Sequence, residues 1–259
     1  MVQGRRKPGR ALLPEEPGAR VSVKGRFWFA FAMTKKGGWK EEVDLTLGEI
    51  VLPGTLELPP DAGGIVLFAH GSGSSRFSPR NRFVAQILRM NGSGTLLFDL
   101  FTPEEEEEDE RTAALRFDIE FLAQRLEEAA RWLRDYLGEP KPALGYFGSS
   151  TGGGAALVAA AREGAKIAAV VSRGGRPDLA GEALSRVRSP TLLIVGGADY
   201  PVLRLNREAL RELRCEKELA VVPGATHLFE ESGTLDEVAR LAAEWFHRHW
   251  PKASSGPTR

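Results

Sequence analysis

Ala143-Leu144-Gly145-Tyr146-Phe147-Gly148-Ser149-Ser150-Thr151-Gly152, followed by the small-residue run from Gly153 to Ala161, is the stretch on which the reading of this chain turns. Ala143 to Phe147 is short and apolar, as a buried strand would be, and Gly153 to Ala161 has the pattern of a closely packed helix. Between them Gly148-Ser149-Ser150-Thr151-Gly152 is a G-x-S-x-G pentapeptide. A serine that attacks a carbonyl must stand exposed on a sharp strand-to-helix turn, and only very small neighbours at the two flanking positions let the backbone make it. Ser150 is therefore the candidate nucleophile. In a chain with 29 glycines the pentapeptide alone would be weak evidence, and its position at a strand end is what gives it weight.

A nucleophile of this kind needs a base and an acid, which follow it in the order Ser, acid, His, each past the carboxyl end of a later strand. Pro190 to Gly197 reads as a short buried strand bounded by proline and glycines, with Asp199 just beyond it. Leu219 to Val222 reads as the next strand, and the turn Pro223-Gly224-Ala225-Thr226 delivers His227. In these roles the His227 imidazole takes the Ser150 proton and later gives it to the leaving group, while the Asp199 carboxylate fixes the tautomer and stabilises the imidazolium. A lone loop histidine is more often a surface residue, and an aspartate after Gly-Gly-Ala is more often a turn residue. The chain has four histidines, however. His247 and His249 fall in a terminal amphipathic stretch and His70 precedes the nucleophile, which leaves His227. Glu216 and Glu218 stand at the wrong end of their strand to replace Asp199.

Acyl transfer also needs hydrogen-bond donors for the developing oxyanion, usually the N–H after the nucleophile and one from an earlier strand-to-helix loop. Thr151 supplies the first. Gly64 to Ala69 is a buried strand running into His70-Gly71-Ser72-Gly73-Ser74-Ser75, whose Ser72 N–H is the candidate for the second. The alternative for this loop is a plain flexible connection.

Working outward, Val43 to Leu47 and Glu49 to Leu58 read as an antiparallel hairpin turning at Gly48. Strands then alternate with amphipathic helices, the signature of a mostly parallel sheet wrapped by helices. Strands near Ile65, Thr95, Ala143, Ile167, Thr191 and Leu219 make eight with the opening pair. Helices are expected near Arg82 to Met90, Phe117 to Leu137, Gly153 to Arg162, Leu203 to Leu213 and Leu235 to Trp250. No repeat appears, and no segment is long enough for a large lid domain.

Several separate blocks of sequence resemble a known family. They are His70-Gly71-Ser72-Gly73-Ser74-Ser75-Arg76, Ser78-Pro79-Arg80-Asn81, Leu97-Phe98-Asp99-Leu100 with Thr102-Pro103-Glu104, Gly145-Tyr146-Phe147-Gly148, Ser172-Arg173-Gly174-Gly175-Arg176-Pro177-Asp178 and Gly224-Ala225-Thr226-His227. Together, over about Val43 to His247, the chain resembles the dienelactone-hydrolase-like branch of the α/β-hydrolases, and more narrowly the small hydrolase domains found alone or fused to a phosphoribosyltransferase domain. The resemblance implies an α/β-hydrolase fold, the Ser150-Asp199-His227 set and esterase chemistry, with no physiological substrate supplied. Dienelactone hydrolases proper use a cysteine nucleophile where this chain has Ser150, a departure that leaves the dienelactone substrate itself open. No phosphoribosyltransferase domain is recognised.

With 259 residues and 42% hydrophobic content, the chain has ample material for one continuous core. A formal net charge of zero argues against nucleic acid or an acidic membrane as a bulk electrostatic partner. A single cysteine, Cys215, permits no intramolecular disulfide and no multi-cysteine metal site. The histidines show no helical i, i+4 pairing around an acid, so no metal or other cofactor is expected. A reducing cytoplasm fits best, and no apolar segment reaches the roughly 20 residues that span a bilayer. The expected partner is a small-molecule ester, and a homodimer stays open.

Residues 1–42 are expected to be a poorly ordered or loosely docked extension, 43–250 the hydrolase domain and 251–259 a disordered tail. The apolar stretch Phe27 to Met33 is no signal peptide: it lies too far in, lacks a small-residue cleavage site and is followed by Lys35-Lys36. Met33 stays open as the natural start. The acidic run Glu104 to Glu110 reads as a solvated, mobile loop or helix start, with a rim that repels anionic substrates or touches a partner as the functional alternative. Arg173 and Arg176 follow the strand near Ile167 at the active edge of the sheet, where a guanidinium can hold a carboxylate or phosphate through two parallel hydrogen bonds. The competing reading is an ion pair to Asp178 or to the acidic run. Transfer to an acceptor other than water, or from a thioester, would use the same residues, whereas a catalytically silent binding module would have lost part of the set.

Overall fold

The computed structural model describes residues 38–251, together with the backbone of two short antiparallel strands, β1 (Ser22–Val23) and β2 (Arg26–Phe27), which pair Ser22 with Phe27 and Val23 with Arg26. The chain divides into two units after Ala32. Of the expected extension, residues 28–37, with Met33, and the other residues outside β1 and β2 up to residue 37 lie outside the described residues, as does the tail beyond Pro251, whereas residues 39–42 belong to a strand of the second unit.

The second unit is built on one eight-stranded sheet. Its strands are β3 (Trp39–Leu47), β4 (Ile50–Leu58), β5 (Ile65–Ala69), β6 (Gly94–Phe98), β7 (Leu144–Ser149), β8 (Ile167–Arg173), β9 (Thr191–Gly196) and β10 (Lys217–Val222), in the order β10-β9-β8-β7-β5-β6-β4-β3. β3 and β4 form the antiparallel hairpin and β4 runs antiparallel to β6, while every other neighbouring pair is parallel. These are the eight strands expected, with the hairpin starting at Trp39, ahead of Val43. The edge strand β3 alternates, burying Val43, Leu45 and Leu47 between exposed residues, whereas β5, β6, β7 and β9 are buried at every position. That contrast is what helices on both faces require of the central strands.

The described residues form six α-helices: α1 (Pro79–Met90), α2 (Pro103–Thr112), α3 (Ile119–Leu137), α4 (Thr151–Glu163), α5 (Tyr200–Glu212) and α6 (Thr234–His249). The twofold period of a strand divides each inner strand between two cores. Ile65, Leu67 and Ala69 of β5 join Leu122 and Leu126 of α3 and Leu157 of α4 on one face. Val66 and Phe68 join Leu88 of α1 and Val238 and Phe246 of α6 on the other. None of these helices is long and apolar enough to cross a membrane.

The acidic run takes the second of its two expected forms, a helix start, and carries it through to Thr112. It forms a complete helix, α2, because Pro103 occupies its first position and Thr102 and Glu105 make a reciprocal capping box, Glu105 N–H donating to Thr102 Oγ1 (3.3 Å) and Thr102 N–H to Glu105 Oε2 (2.9 Å). Two of its acids turn inward. Glu105 pairs with Arg125 of α3. Buried Asp109 accepts from the Arg116 N–H (2.8 Å) and Nε (2.6 Å), holding the short 3-10 turn Leu115–Phe117.

Candidate active site

Parallel strands all present their carboxyl ends at one edge, and the connections leaving that edge carry the residues singled out in the sequence. Ser150 sits between β7 and α4 with φ 52° and ψ −121°. A positive φ on a residue with a Cβ costs of order 1–3 kcal/mol and persists only where the surroundings enforce it. Here packing enforces it. A Cβ on Gly148 would stand 2.3 Å from the Gly152 carbonyl oxygen, and one on Gly152 would stand 2.2 Å from that of Ala69. No side chain fits between β7, the start of α4 and the end of β5, which is the close approach the elbow glycines allow. The Ser150 N–H donates to the Arg173 carbonyl (3.3 Å), and its own carbonyl accepts from Gly153 (3.0 Å) and Arg176 (3.0 Å).

Asp199 lies at the turn from β9 into α5, and His227 lies beyond β10. The two loops are lashed together: Gly197 N–H donates to the Val222 carbonyl (2.8 Å) and Ala198 N–H to that of Ala225 (2.9 Å). Glu231 steadies the histidine loop from the other side, accepting from the Thr226 N–H (3.1 Å) and hydroxyl (2.6 Å). In this frame His227 Nδ1 lies 2.7 Å from Asp199 Oδ2. An Nδ1–H donated to the carboxylate leaves Nε2 as the free lone pair, the tautomer a general base needs. His227 and Ser150 line one cavity of about 330 Å³. The Ser150 hydroxyl makes no hydrogen bond among the described residues, leaving it free to turn toward Nε2.

Ser72 lines the same cavity. Its hydroxyl lies 3.1 Å from that of Thr151, so the loop after β5 and the first turn of α4 meet beside Ser150. Thr151 occupies the first helical position, where no preceding turn takes up its N–H. The loop comes this close because residue 71 is glycine: a Cβ there would stand 3.0 Å from Ser150 Cβ.

The supports of that loop were not legible in the sequence. His70, set aside there only for its place in the chain order, is buried and accepts from the Leu100 N–H at Nε2 (3.2 Å), while its Nδ1 lies 3.2 Å from the Gly71 carbonyl. Burial holds its pKa below the ordinary imidazole value, with the Gly71 bond and Asp99 opposing more weakly. His70 is thus a neutral brace. Asp99 accepts from the Arg76 N–H (2.7 Å) and pairs with its guanidinium, tying down the far end of the loop. From the remaining side the Ser72 hydroxyl reaches the carbonyl of Arg116 (3.5 Å), the residue that α2 holds through Asp109.

The two arginines separate. Arg176 forms a two-pronged pair with Asp178 (2.8 and 2.7 Å) and does not line the cavity, so its ion-pair reading is the one realised. Arg173 is buried and does line the cavity. It donates one hydrogen bond, to Asn81 Oδ1 (3.2 Å), stands over the Phe229 ring, and leaves its buried Nε without a partner. Burial, helped by the charge of Arg80, brings its pKa down to about 10, so the guanidinium remains charged at neutral pH. Arg80, also in the lining, is paired with Glu230. Among the described residues, Leu228 is the single apolar side chain in a lining otherwise made of glycine, serine, arginine and histidine.

Comparison with known proteins agrees with this architecture. The dienelactone hydrolase family model matches residues 57–252. A crystal structure of a dienelactone hydrolase from Anabaena variabilis is 56% identical, with a TM-score of 0.80, covering 83% of this chain and 99% of that one. A lidless α/β serine hydrolase from Xanthomonas campestris is 22% identical, with a TM-score of 0.66 over 83% of this chain and 96% of that one, a likeness of fold. Two Mycobacterium tuberculosis proteins, each named a putative phosphoribosyl transferase, are 56% identical over 209 residues, 81% of this chain. The chain spans 46% of their length, in keeping with the fused relatives that the sequence resemblance pointed to. With the family model covering most of the chain and the described residues folded as an α/β-hydrolase, this protein belongs to the dienelactone hydrolase family.

Proposed function

We infer that the protein is a serine hydrolase of small carboxylic esters, working through an acyl-enzyme on Ser150. The observation that carries this reading is the 2.7 Å bond from Asp199 to His227 on a histidine that shares its cavity with the strained Ser150. His227 Nε2 takes the hydroxyl proton as Ser150 Oγ attacks the ester carbonyl. The oxyanion forms beside the Ser72 and Thr151 N–H groups, and the imidazolium, steadied by Asp199, gives its proton to the departing alcohol. Water, deprotonated by the same imidazole, then releases the acid. A fluorophosphonate probe followed by peptide mass spectrometry tests the assignment: the adduct is expected on Ser150, and an adduct elsewhere would overturn it.

In this reading Arg173 holds an anionic group of the substrate. A buried guanidinium without a carboxylate is an incomplete arrangement, since buried charges are ordinarily paired, and an anion entering the cavity completes it. Arg173→Gln is expected to lower kcat/KM about 100-fold for a hemisuccinate ester, the loss of one charge-assisted contact of about 2–3 kcal/mol, and to leave the matched butyrate ester within about threefold. Equal losses on both esters would mean that Arg173 supports the fold instead.

Substrate length follows from the lining. Each buried methylene is worth about 0.8 kcal/mol, close to fourfold in specificity, but among the described lining residues Leu228 alone offers apolar contact. Across p-nitrophenyl esters kcat/KM is expected to peak between acetate and hexanoate. A series still rising at palmitate would reveal an apolar channel and overturn this expectation.

A further inference from the structure

A second concentration of charge lies at the edge of the sheet opposite Ser150. The connections that lead into β9 and β10, residues 185–188 and 214–215, surround an open cavity of about 620 Å³ together with Ala161 near the end of α4. β9 separates this cavity from the Asp199 end of the sheet by six residues, roughly 20 Å of extended chain. Arg186, Arg188 and Arg214 all line it, and among the described residues no carboxylate does. Among the described residues none of these three guanidinium groups enters an ion pair or a hydrogen bond, although most arginines elsewhere are paired, as Arg134 is with Glu163 and Arg240 with Glu237.

Arginines near helix ends often serve the carbonyls left unpaired there. The two segments that end here are closed by other groups. At the end of α5 the Leu213 carbonyl accepts the ammonium of Lys217. At the end of the 3-10 segment Pro177–Arg186, Val187 N–H donates to the Leu184 carbonyl and the Ser185 hydroxyl to that of Glu182. Arg207 and Arg211 of α5, one turn apart, are also exposed and unpaired among the described residues, on a helix that carries Glu208 and Glu212 as well. A chain of zero formal charge has thus gathered three uncompensated cations around one concavity.

We propose that this cavity binds a small polyphosphate, a ligand with two or more linked phosphate groups, independently of the hydrolase site. One carboxylate would neutralise a single guanidinium. Linked phosphates bring several charges and many acceptor oxygens within a few ångströms of one another, which three planar donor forks can share. Cys215, the chain's single cysteine, is half-buried in the same lining, so the site carries its own reporter.

The test is the rate at which a neutral maleimide labels Cys215 at constant ionic strength, with tripolyphosphate, pyrophosphate, orthophosphate or sodium chloride added. Calorimetric titration of tripolyphosphate reads the same binding without the thiol. Tripolyphosphate at about ten times its Kd is expected to slow labelling about tenfold, with pyrophosphate weaker and orthophosphate and chloride without effect. The protection and the heat should vanish in the combined variant Arg186→Gln, Arg188→Gln, Arg214→Gln, whose fold is checked by its thermal melt because all three positions are exposed. The proposal is overturned if neither protection nor heat appears, if chloride protects equally, or if the variant binds as before. Protection by an oligonucleotide but not by tripolyphosphate would likewise overturn it.

Discussion

Ser150→Ala is expected to leave a folded protein whose ester hydrolysis falls by about 10⁴-fold or more, because a nucleophile and its base act as one unit and neither retains its function alone. The fold should survive for a structural reason. The Ser150 hydroxyl accepts and donates no hydrogen bond among the described residues, so its removal strands no buried partner. Alanine also keeps the Cβ, and with it the same backbone conformation at φ 52°. In the proposed mechanism, what remains after the substitution is the rate that the Ser72 and Thr151 N–H groups and substrate binding would supply. The measurement is kcat/KM on a p-nitrophenyl ester beside a thermal melt. Near-native turnover by a folded Ser150→Ala protein would rule out the acyl-enzyme.

His227→Ala should match that loss, since without the imidazole the Ser150 proton has no acceptor. Asp199→Asn should cost less, by about 10- to 100-fold, because the acid orients and stabilises the imidazole without taking the proton itself. The geometry sharpens the comparison. The Gly197 and Ala198 bonds to the histidine loop are made by backbone groups, so an asparagine at 199 keeps the loop in place and alters only the partner of His227 Nδ1. His247→Ala, on α6, serves as the control and is expected to have little effect. Should His247→Ala prove the damaging change and His227→Ala mild, the assignment of the base by chain order would fall.

The fold and its candidate residues were differently accessible from sequence. Strand positions were legible because buried parallel strands are short apolar runs bounded by glycine and proline, as at Ile65 to Ala69 and Thr191 to Gly196. α2 was harder. A run of consecutive glutamates has no apolar period, and only the Thr102-Pro103-Glu104-Glu105 start encodes its helix through a cap. His70 was passed over because chain order says nothing about a histidine whose two ring nitrogens are committed to Leu100 and Gly71. The pair Arg173 and Arg176 looked equivalent at a spacing of three residues. Asp178 lies two residues beyond Arg176 and takes it, while Arg173 ends β8 pointed at Asn81, a residue 92 positions earlier in the chain.

The features legible in the chain alone are local and directional: a serine between two glycines at a strand end, an acid and a histidine after later strands, and an alternation of elements that yields a parallel sheet. These follow from backbone sterics and hydrophobic period, which act over a few residues at a time. Which of those residues meet is settled by the packing of distant segments. The 2.7 Å contact between Asp199 and His227 depends on β9 and β10 lying side by side in register. The closeness of Ser72 to Thr151 depends on β5 being the neighbour of β7. The gathering of Arg186, Arg188 and Arg214 depends on two connections at the opposite edge. Strand order is set by the burial of both faces of the sheet at once, a condition on the whole chain that no short window of sequence contains.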